Sequence, residues 1–455
     1  MAERAEGAME RLYTTDNNGG SMEVPAGCLA DLEAIGNVPL AELCERNPGL
    51  LVFPDDLSDS RDGIGGTPVF TIGGGRLATA NVMGFVGRNA TRLNIRSRFA
   101  RDDASDYFLH YMLGRVFDAN MLDFDQSAGG LGMIDYLDCL FPCCLRRAWA
   151  QGVYRAYVGR QCNDAGVKGR IDMARHLRTN MPFRGSVAYT MREYSADNSL
   201  MQLVRHTIEH LKAKPLARAL LAGDSQTRSI IDTVCHITRP TYSPRGLRRV
   251  VEANLKPLSH PFFTGYRTLQ RLCLRILAGD RMAYGSSDDR VGGLLFDGAW
   301  LWEEYLATVL AGGFIHPENR TGRHRQYLFD GFQPIYPDFM SRTQPCVVAD
   351  AKYVPLAGKR AYGEDSTQAT AIYYKTITYM YRFGSTRGML LYPHPGTLSE
   401  DVYAIKDTAG RLCKLGMAIA QDAGSFDDFC SAMGRNEADL LGRIAGFARG
   451  GAAMW

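Results

Sequence analysis

Residues 336–353 read YPDFMSRTQPCVVADAKY: a Pro-Asp pair, an apolar run and an Asp-Ala-Lys triplet. An acid within an apolar strand is costly to desolvate unless it is paired or holds a cation. Strand side chains alternate, so Asp350 and Lys352 share a face and Ala351 takes the other. Antiparallel pairing of 332–341 with 345–354 would set Asp338, which follows Pro337, alongside Asp350. Two carboxylates that close repel each other unless a cation lies between them. Hard oxygen donors with room for water suit Mg²⁺. A lysine beside them can hold a water or neutralise developing charge, while the metal acidifies that water and polarises a phosphoryl oxygen. The group suits phosphodiester hydrolysis. The plainer reading is a surface hairpin with a solvated Asp–Lys pair. Against it, this is the only Asp-x-Lys in a chain with nine lysines.

The surrounding third of the chain mixes classes. AWLWEEYLATVLAGG (299–313) and STQATAIYYKTITYMYRFG (366–384) carry helical spacing, and TRGMLLYP (386–393) reads as a short buried strand. DVYAIKDTAGRLCKLGMAIA (401–420) reads as a hairpin around Asp-Thr-Ala-Gly. Upstream, GSSDDRVGG (285–293) marks a boundary. Residues 105–122, 134–162, 199–223 and 265–280 have helical patterning, with Pro142 expected to interrupt the second. Residues 23–100 hold short apolar runs between Gly, Pro and Asp, as strands and turns do, and Gly73–Gly75 reads as a turn. The expected division is a flexible head at 1–22, a β-rich domain at 23–125, a helical middle at 126–285 and an α/β domain at 286–455. The fold class is α+β, multidomain.

The 455 residues are 45% hydrophobic with a net charge of +3, a globular composition that does not announce a nucleic-acid binder. Arginines outnumber lysines 43 to 9; their forks suit phosphate, though codon composition gives the same skew. Eleven scattered cysteines, no secretory signal and no membrane-length apolar run fit a reducing cytoplasm. No G-x-x-x-x-G-K-[ST] occurs, so an NTP site of the Walker type is not expected. His206, Glu209 and His210 match H-x-x-E-H, but on a helix that packing already explains.

The 336–353 residues resemble the PD-(D/E)xK nuclease signature. Across most of its length the chain resembles the McrC family, the nuclease subunit of McrBC-type modification-dependent restriction systems. LNIRSRFARDDASDYFLHYMLGRVF, VKGRIDMARHLRTN, MREYSADNSLMQLVRHTIEHL, LWEEYLATVL and MLLYP carry the likeness, in that order. The resemblance implies a C-terminal PD-(D/E)xK endonuclease domain with Asp338, Asp350 and Lys352 as catalytic residues. It implies Glu303, beside Glu304, as a further acid, with Asp338, Asp350 and Glu303 holding Mg²⁺ and Mn²⁺ tolerated. Where the family has a Gln and then a Tyr four residues on, this chain has Lys375 and Tyr379. Gln368 could substitute, and the three make an outer site.

The family also implies a McrB-like AAA+ GTPase ring as partner, docked by the β-rich N-terminal region, and modified double-stranded DNA as substrate. Arg76, Arg88 and Asn89 are candidate contacts. Since the nuclease elements all follow residue 290, a chain lacking 1–100 is expected to keep its metal site. Two other readings compete: a non-cutting adaptor that activates an AAA+ NTPase, and a stand-alone RecB-like nuclease of repair or CRISPR type.

Overall fold

The computed structural model describes residues 10–47, 49–54, 63–100, 106–117, 133–278, 291–317, 326–343, 346–354, 356 and 367–449. The protein is mixed α and β, with several sheets. Its contacts divide it into two units, Met1–Leu131 with Tyr284–Trp455, and Gly132–Ala283. The N-terminal and C-terminal regions, expected as separate domains, thus belong to one unit.

The first sheet of that unit has the order Glu10–Thr15, Thr91–Arg96, Val82–Arg88, Gly292–Asp297, Leu50–Phe53. Thr91–Arg96 is a half-buried strand: Thr91, Leu93 and Ile95 face the core while the residues between them are partly exposed. The core beneath includes Leu32, Phe70, Val86, Leu93 and Leu295. Gly84 has φ +125° and lies against the neighbouring strand; a Cβ there would meet the Leu294 carbonyl oxygen at 2.1 Å. Only glycine permits both the backbone angle and that approach.

Two expectations change here. Residues 10–22 are no free head, because Glu10–Thr15 pairs in parallel with Thr91–Arg96. In its sequence, ERLYTT, no residue is fully buried and exposed and half-buried positions fall on both faces, so alternation gave no signal. Gly292–Asp297 lies beyond the expected boundary at 285, yet it sits between Val82–Arg88 and Leu50–Phe53. The Gly-rich stretch is a turn, as expected: Gly74 and Gly75, at φ +59° and +76°, join Phe70–Gly73 to Arg76–Thr79.

The second sheet of the same unit has six strands, in the order Phe314–Ile315, Phe339–Ser341, Val348–Ala351, Arg387–Pro395, Arg411–Ile419, Ser399–Ala404. The Val348–Ala351 strand is parallel to Arg387–Pro395, with helix Thr367–Arg382 between them in sequence. Parallel neighbours need such a crossover. The central strands are apolar on both faces, as covered strands are: Val348, Met389, Leu390, Leu391, Leu415 and Ile419 are almost wholly buried. The 401–420 stretch forms the expected hairpin, Ser399–Ala404 with Arg411–Ile419.

Helix Gly298–Leu310 starts directly from the first sheet, where the Asp297 carboxylate accepts the Ala299 N–H at 2.9 Å. Its Tyr305 hydroxyl donates to Glu437 of helix Phe426–Arg449 at 2.9 Å, and the Tyr111 hydroxyl donates to the same carboxylate at 2.7 Å. One expected pairing is only partly present. Phe332–Ile335 pairs with Gln326–Phe329 in a separate hairpin. Pro337, lacking an N–H, stands between that hairpin and the strand Phe339–Ser341, which does pair with Val348–Ala351.

The second unit contains helices Met133–Trp149, Ser199–Lys212, Pro215–Ala222, Ser225–Thr238, Leu247–Ala253 and Thr264–Ala278. Pro142 does not interrupt the first of these. The cost of a lost helical bond, about 3 kcal/mol, is offset where Leu140, Phe141, Cys143, Cys144 and Leu145 are buried around it. The helix ends before Gly152, at φ +93°, and residues 156–164 are strand where helix was expected. Their partner is Val187–Ser195, a pairing distant in sequence that local patterning does not reveal. Among the described residues no helix is long and apolar enough to cross a membrane.

Candidate metal and phosphodiester site

Phe339 pairs with Ala349 and Met340 with Val348 in antiparallel register. That register sets Asp338 across from Asp350. Both are buried, at 1% and 0% exposure. The Ala351 N–H donates to Asp338 Oδ2 at 2.6 Å, so the second acid's strand fixes the first acid's carboxylate. The Lys352 N–H donates to the Leu391 carbonyl at 2.8 Å, which extends the strand's pairing and keeps Lys352 on the Asp350 face.

Asp350 is held by two ammonium groups. Lys352 Nζ pairs with Oδ2 and Lys375 Nζ lies 3.0 Å from Oδ1. Burial alone would raise the Asp350 carboxyl; the charges of Lys352 and Lys375 outweigh it and hold it below its ordinary value. Lys352 also donates to the Ala351 carbonyl at 3.0 Å. The expected trio of Asp338, Asp350 and Lys352 is therefore brought together.

Glu303 is placed differently. Its Oε1 is 3.8 Å from His316 Nε2, and the other ring nitrogen of His316 is 2.8 Å from the Asp338 carbonyl oxygen. Among the described residues no three His, Cys, Asp or Glu side chains converge closely enough to share a metal. Glu303 is thus linked through His316 to the backbone of Asp338, and His316 is a residue the sequence reading missed. A lone histidine in Ile-His-Pro carries no motif, and only the fold sets it beside Asp338.

Lys375 and Tyr379 share a face of helix Thr367–Arg382. The Tyr379 hydroxyl donates to the Tyr336 carbonyl at 3.1 Å and so fixes the segment that enters Pro337 and Asp338. Lys375 Nζ lies 5.7 Å from the Tyr379 ring centre. The side chain of Gln368 lies outside the described residues.

The far end of the Val348–Ala351 strand is held by the first sheet. Tyr353, directly after Lys352, is 2% exposed. Its ring faces the Arg98 guanidinium at 4.6 Å, and its hydroxyl meets Met83 Sδ at 3.6 Å. Arg98 in turn holds the buried Asp16 through Nε at 3.0 Å and contacts Asn81.

These residues fit a divalent cation. Mg²⁺ is commonly bound by one or two carboxylates and keeps several waters. Asp338 and Asp350 supply two buried carboxylates on adjacent strands, with positive charge already drawn to Asp350.

Other candidates have structural roles. Glu209 is engaged by Arg205 at 3.0 Å and Lys212 at 3.3 Å, and His206 packs against Tyr242. Arg88 and Asn89 both engage Asp31, whereas Arg76 is largely exposed.

A family model described as "McrBC 5-methylcytosine restriction system component" matches residues 77–393. No curated protein matches. Two solved structures, both from Thermococcus gammatolerans, are similar. The refined half-complex from a tetradecameric assembly of McrB AAA+ hexamers with bound McrC matches at 16% identity and TM-score 0.48, over 96% of this chain and 99% of that one. The cryo-EM structure of the McrBC complex matches at 17% identity and TM-score 0.29, over 66% and 86%.

Proposed function

Because the chain belongs to the McrBC 5-methylcytosine restriction system component family, we propose that it is the DNA-cutting subunit of such a system, working with an AAA+ GTPase ring on modified double-stranded DNA. One observation carries the cutting role: Asp338 and Asp350 are buried opposite each other, tied by the Ala351 N–H, with Lys352 on Asp350. A purely structural hairpin would leave an Asp–Lys pair in solvent, where it adds little. Burying two acids on adjacent strands is worth its desolvation cost where they hold a cation.

Asp338 and Asp350 would hold Mg²⁺, or Mn²⁺ in its place. Bound there, the ion supplies positive charge against a phosphoryl oxygen and acidifies an attacking water. The protein does the rest. The Ala351 N–H fixes the orientation of Asp338. Lys352 sits where it can neutralise charge developing on the phosphate. Tyr379 and His316 hold the backbone on either side of Asp338. Glu303 orients His316 and so acts on the site indirectly. The partner supplies NTP hydrolysis, since the chain has no phosphate-binding loop of the Walker type.

The test is cleavage of methylated duplex DNA by the purified complex with Mg²⁺ and GTP. The wild-type complex cuts, and Asp350→Asn abolishes cutting while partner hydrolysis stays stimulated. Full-rate cleavage by D350N would remove the site assignment. Stimulated hydrolysis with no cleavage by wild type would make the chain an adaptor.

A further inference from the structure

The Asp350 carboxylate has one negative charge and two ammonium partners. Lys352 reaches it from its own strand. Lys375 comes from a different element, helix Thr367–Arg382, and puts its Nζ 3.0 Å from Oδ1. The Asp350 side chain is 1% exposed and that of Lys375 is 36% exposed. One partner is thus embedded and the other has a path to solvent. If Asp350 is a metal ligand, Lys375 occupies one of the oxygens the metal needs.

We infer that Lys375 is a built-in counter-ion which a divalent cation must displace, and that it thereby couples metal binding to DNA binding. The inference rests on the metal-site reading above. The physical reason is charge balance. In the state seen, Lys352 and Lys375 both stand on Asp350, so the two ammonium groups offset the two carboxylates of the cluster in number. An entering dication brings two further positive charges to the same few ångströms and repels both lysines. Lys352 has the Ala351 carbonyl and its own backbone pairing to hold it in place. Lys375, at 36% exposure against 20% for Lys352, has the wider path to solvent and is the one to swing out. A phosphodiester at the site mouth gives the released ammonium a new anionic partner. Metal and DNA then favour each other's binding, by the same factor in both directions. Without DNA the site binds metal weakly, which restrains cutting chemistry until substrate is present.

The experiment measures Mn²⁺ binding to the full-length chain by electron paramagnetic resonance, with and without a short methylated duplex. Wild type, Lys375→Met, Lys375→Gln and Asp350→Asn are compared. Removing one unit charge from contact with a ligand oxygen should tighten Mn²⁺ binding in K375M and K375Q by about tenfold or more without DNA. The gain that DNA gives wild type should shrink or vanish in both. Thermal melting checks that each variant is folded, and the two lysine variants should gain more Tm from Mn²⁺ than wild type does. Mn²⁺ affinity in both variants equal to or weaker than wild type would overturn the counter-ion role. An Asp350→Asn chain that binds Mn²⁺ as wild type does would instead overturn the metal site itself, so the two failures are distinguishable.

Discussion

Asp350 shows how a single residue carries two readings at once. Its sequence context, an acid in an apolar run followed by Ala-Lys, is enough to identify it as costly and therefore purposeful. Its second cation, Lys375, is 25 residues away and comes from another element. Arg98 is a quieter case of the same physics. It holds Asp16, whose side chain has no exposure, and stacks over Tyr353, just past the strand that carries Asp350. Burial raises the Asp16 carboxyl and Arg98 opposes that rise. Arg98→Met leaves a buried acid without its cation, so it should cost about 3 kcal/mol in urea melts. Cleavage should fall as well, because the strand that presents Asp350 and Lys352 loses its clamp. Unchanged stability in R98M would show that Asp16 is satisfied without its arginine.

At the scale of elements, helices announce themselves by their ends. Helix Ser225–Thr238 begins at Asp224, whose side chain accepts from the N–H groups of Gln226 and Thr227, both at 2.9 Å. The bond from the Thr227 hydroxyl, those backbone bonds and Arg146 hold its carboxyl down to about 2 against the pull of burial. The folded value lies below the ordinary one. The stabilisation is therefore complete above about pH 4 and is lost as pH falls toward 2. Asp224→Ala should cost about 1 kcal/mol at neutral pH, as a lost N-cap does. Its penalty should fade in melts near pH 2; an equal penalty at both pH values would contradict the assignment. Strands were harder to read. Glu10–Thr15 has a polar sequence and no fully buried residue, and Ala156–Asp164 finds its partner only at Val187–Ser195.

The whole molecule changes the expectation about dissection. Gly292–Asp297 leads straight into helix Gly298–Leu310, and both its neighbours, Leu50–Phe53 and Val82–Arg88, lie within residues 1–100. Met83 and Arg98, which cover Tyr353, and Asp16, which Arg98 holds, lie there too. Removing 1–100 exposes Leu294, Leu295 and Phe296, now buried, and frees two edges of strand. The truncated chain should therefore lose cooperative thermal unfolding and any stabilisation by Mg²⁺, measured by calorimetry. A shortened chain that still melts cooperatively, with a Tm gain that Asp338→Asn removes, would restore the picture of independent domains.

The sequence by itself determined which polar side chains would meet. Asp338, Asp350 and Lys352 follow from alternation along a strand and from the cost of burying charge, both local rules. It likewise marked helices such as Ser199–Lys212, Thr264–Ala278, Gly298–Leu310 and Thr367–Arg382, whose hydrogen bonds close within four residues, though not Ser225–Thr238 or Phe426–Arg449. Only the tertiary structure decided the rest: the place of Gly292–Asp297 in an N-terminal sheet, the contact of Glu303 with His316, and the arrival of Lys375 at Asp350. Each of those depends on which distant segments pack together. Pairing across tens to hundreds of residues is set by the sum of burial over the whole core, and no short stretch records that sum.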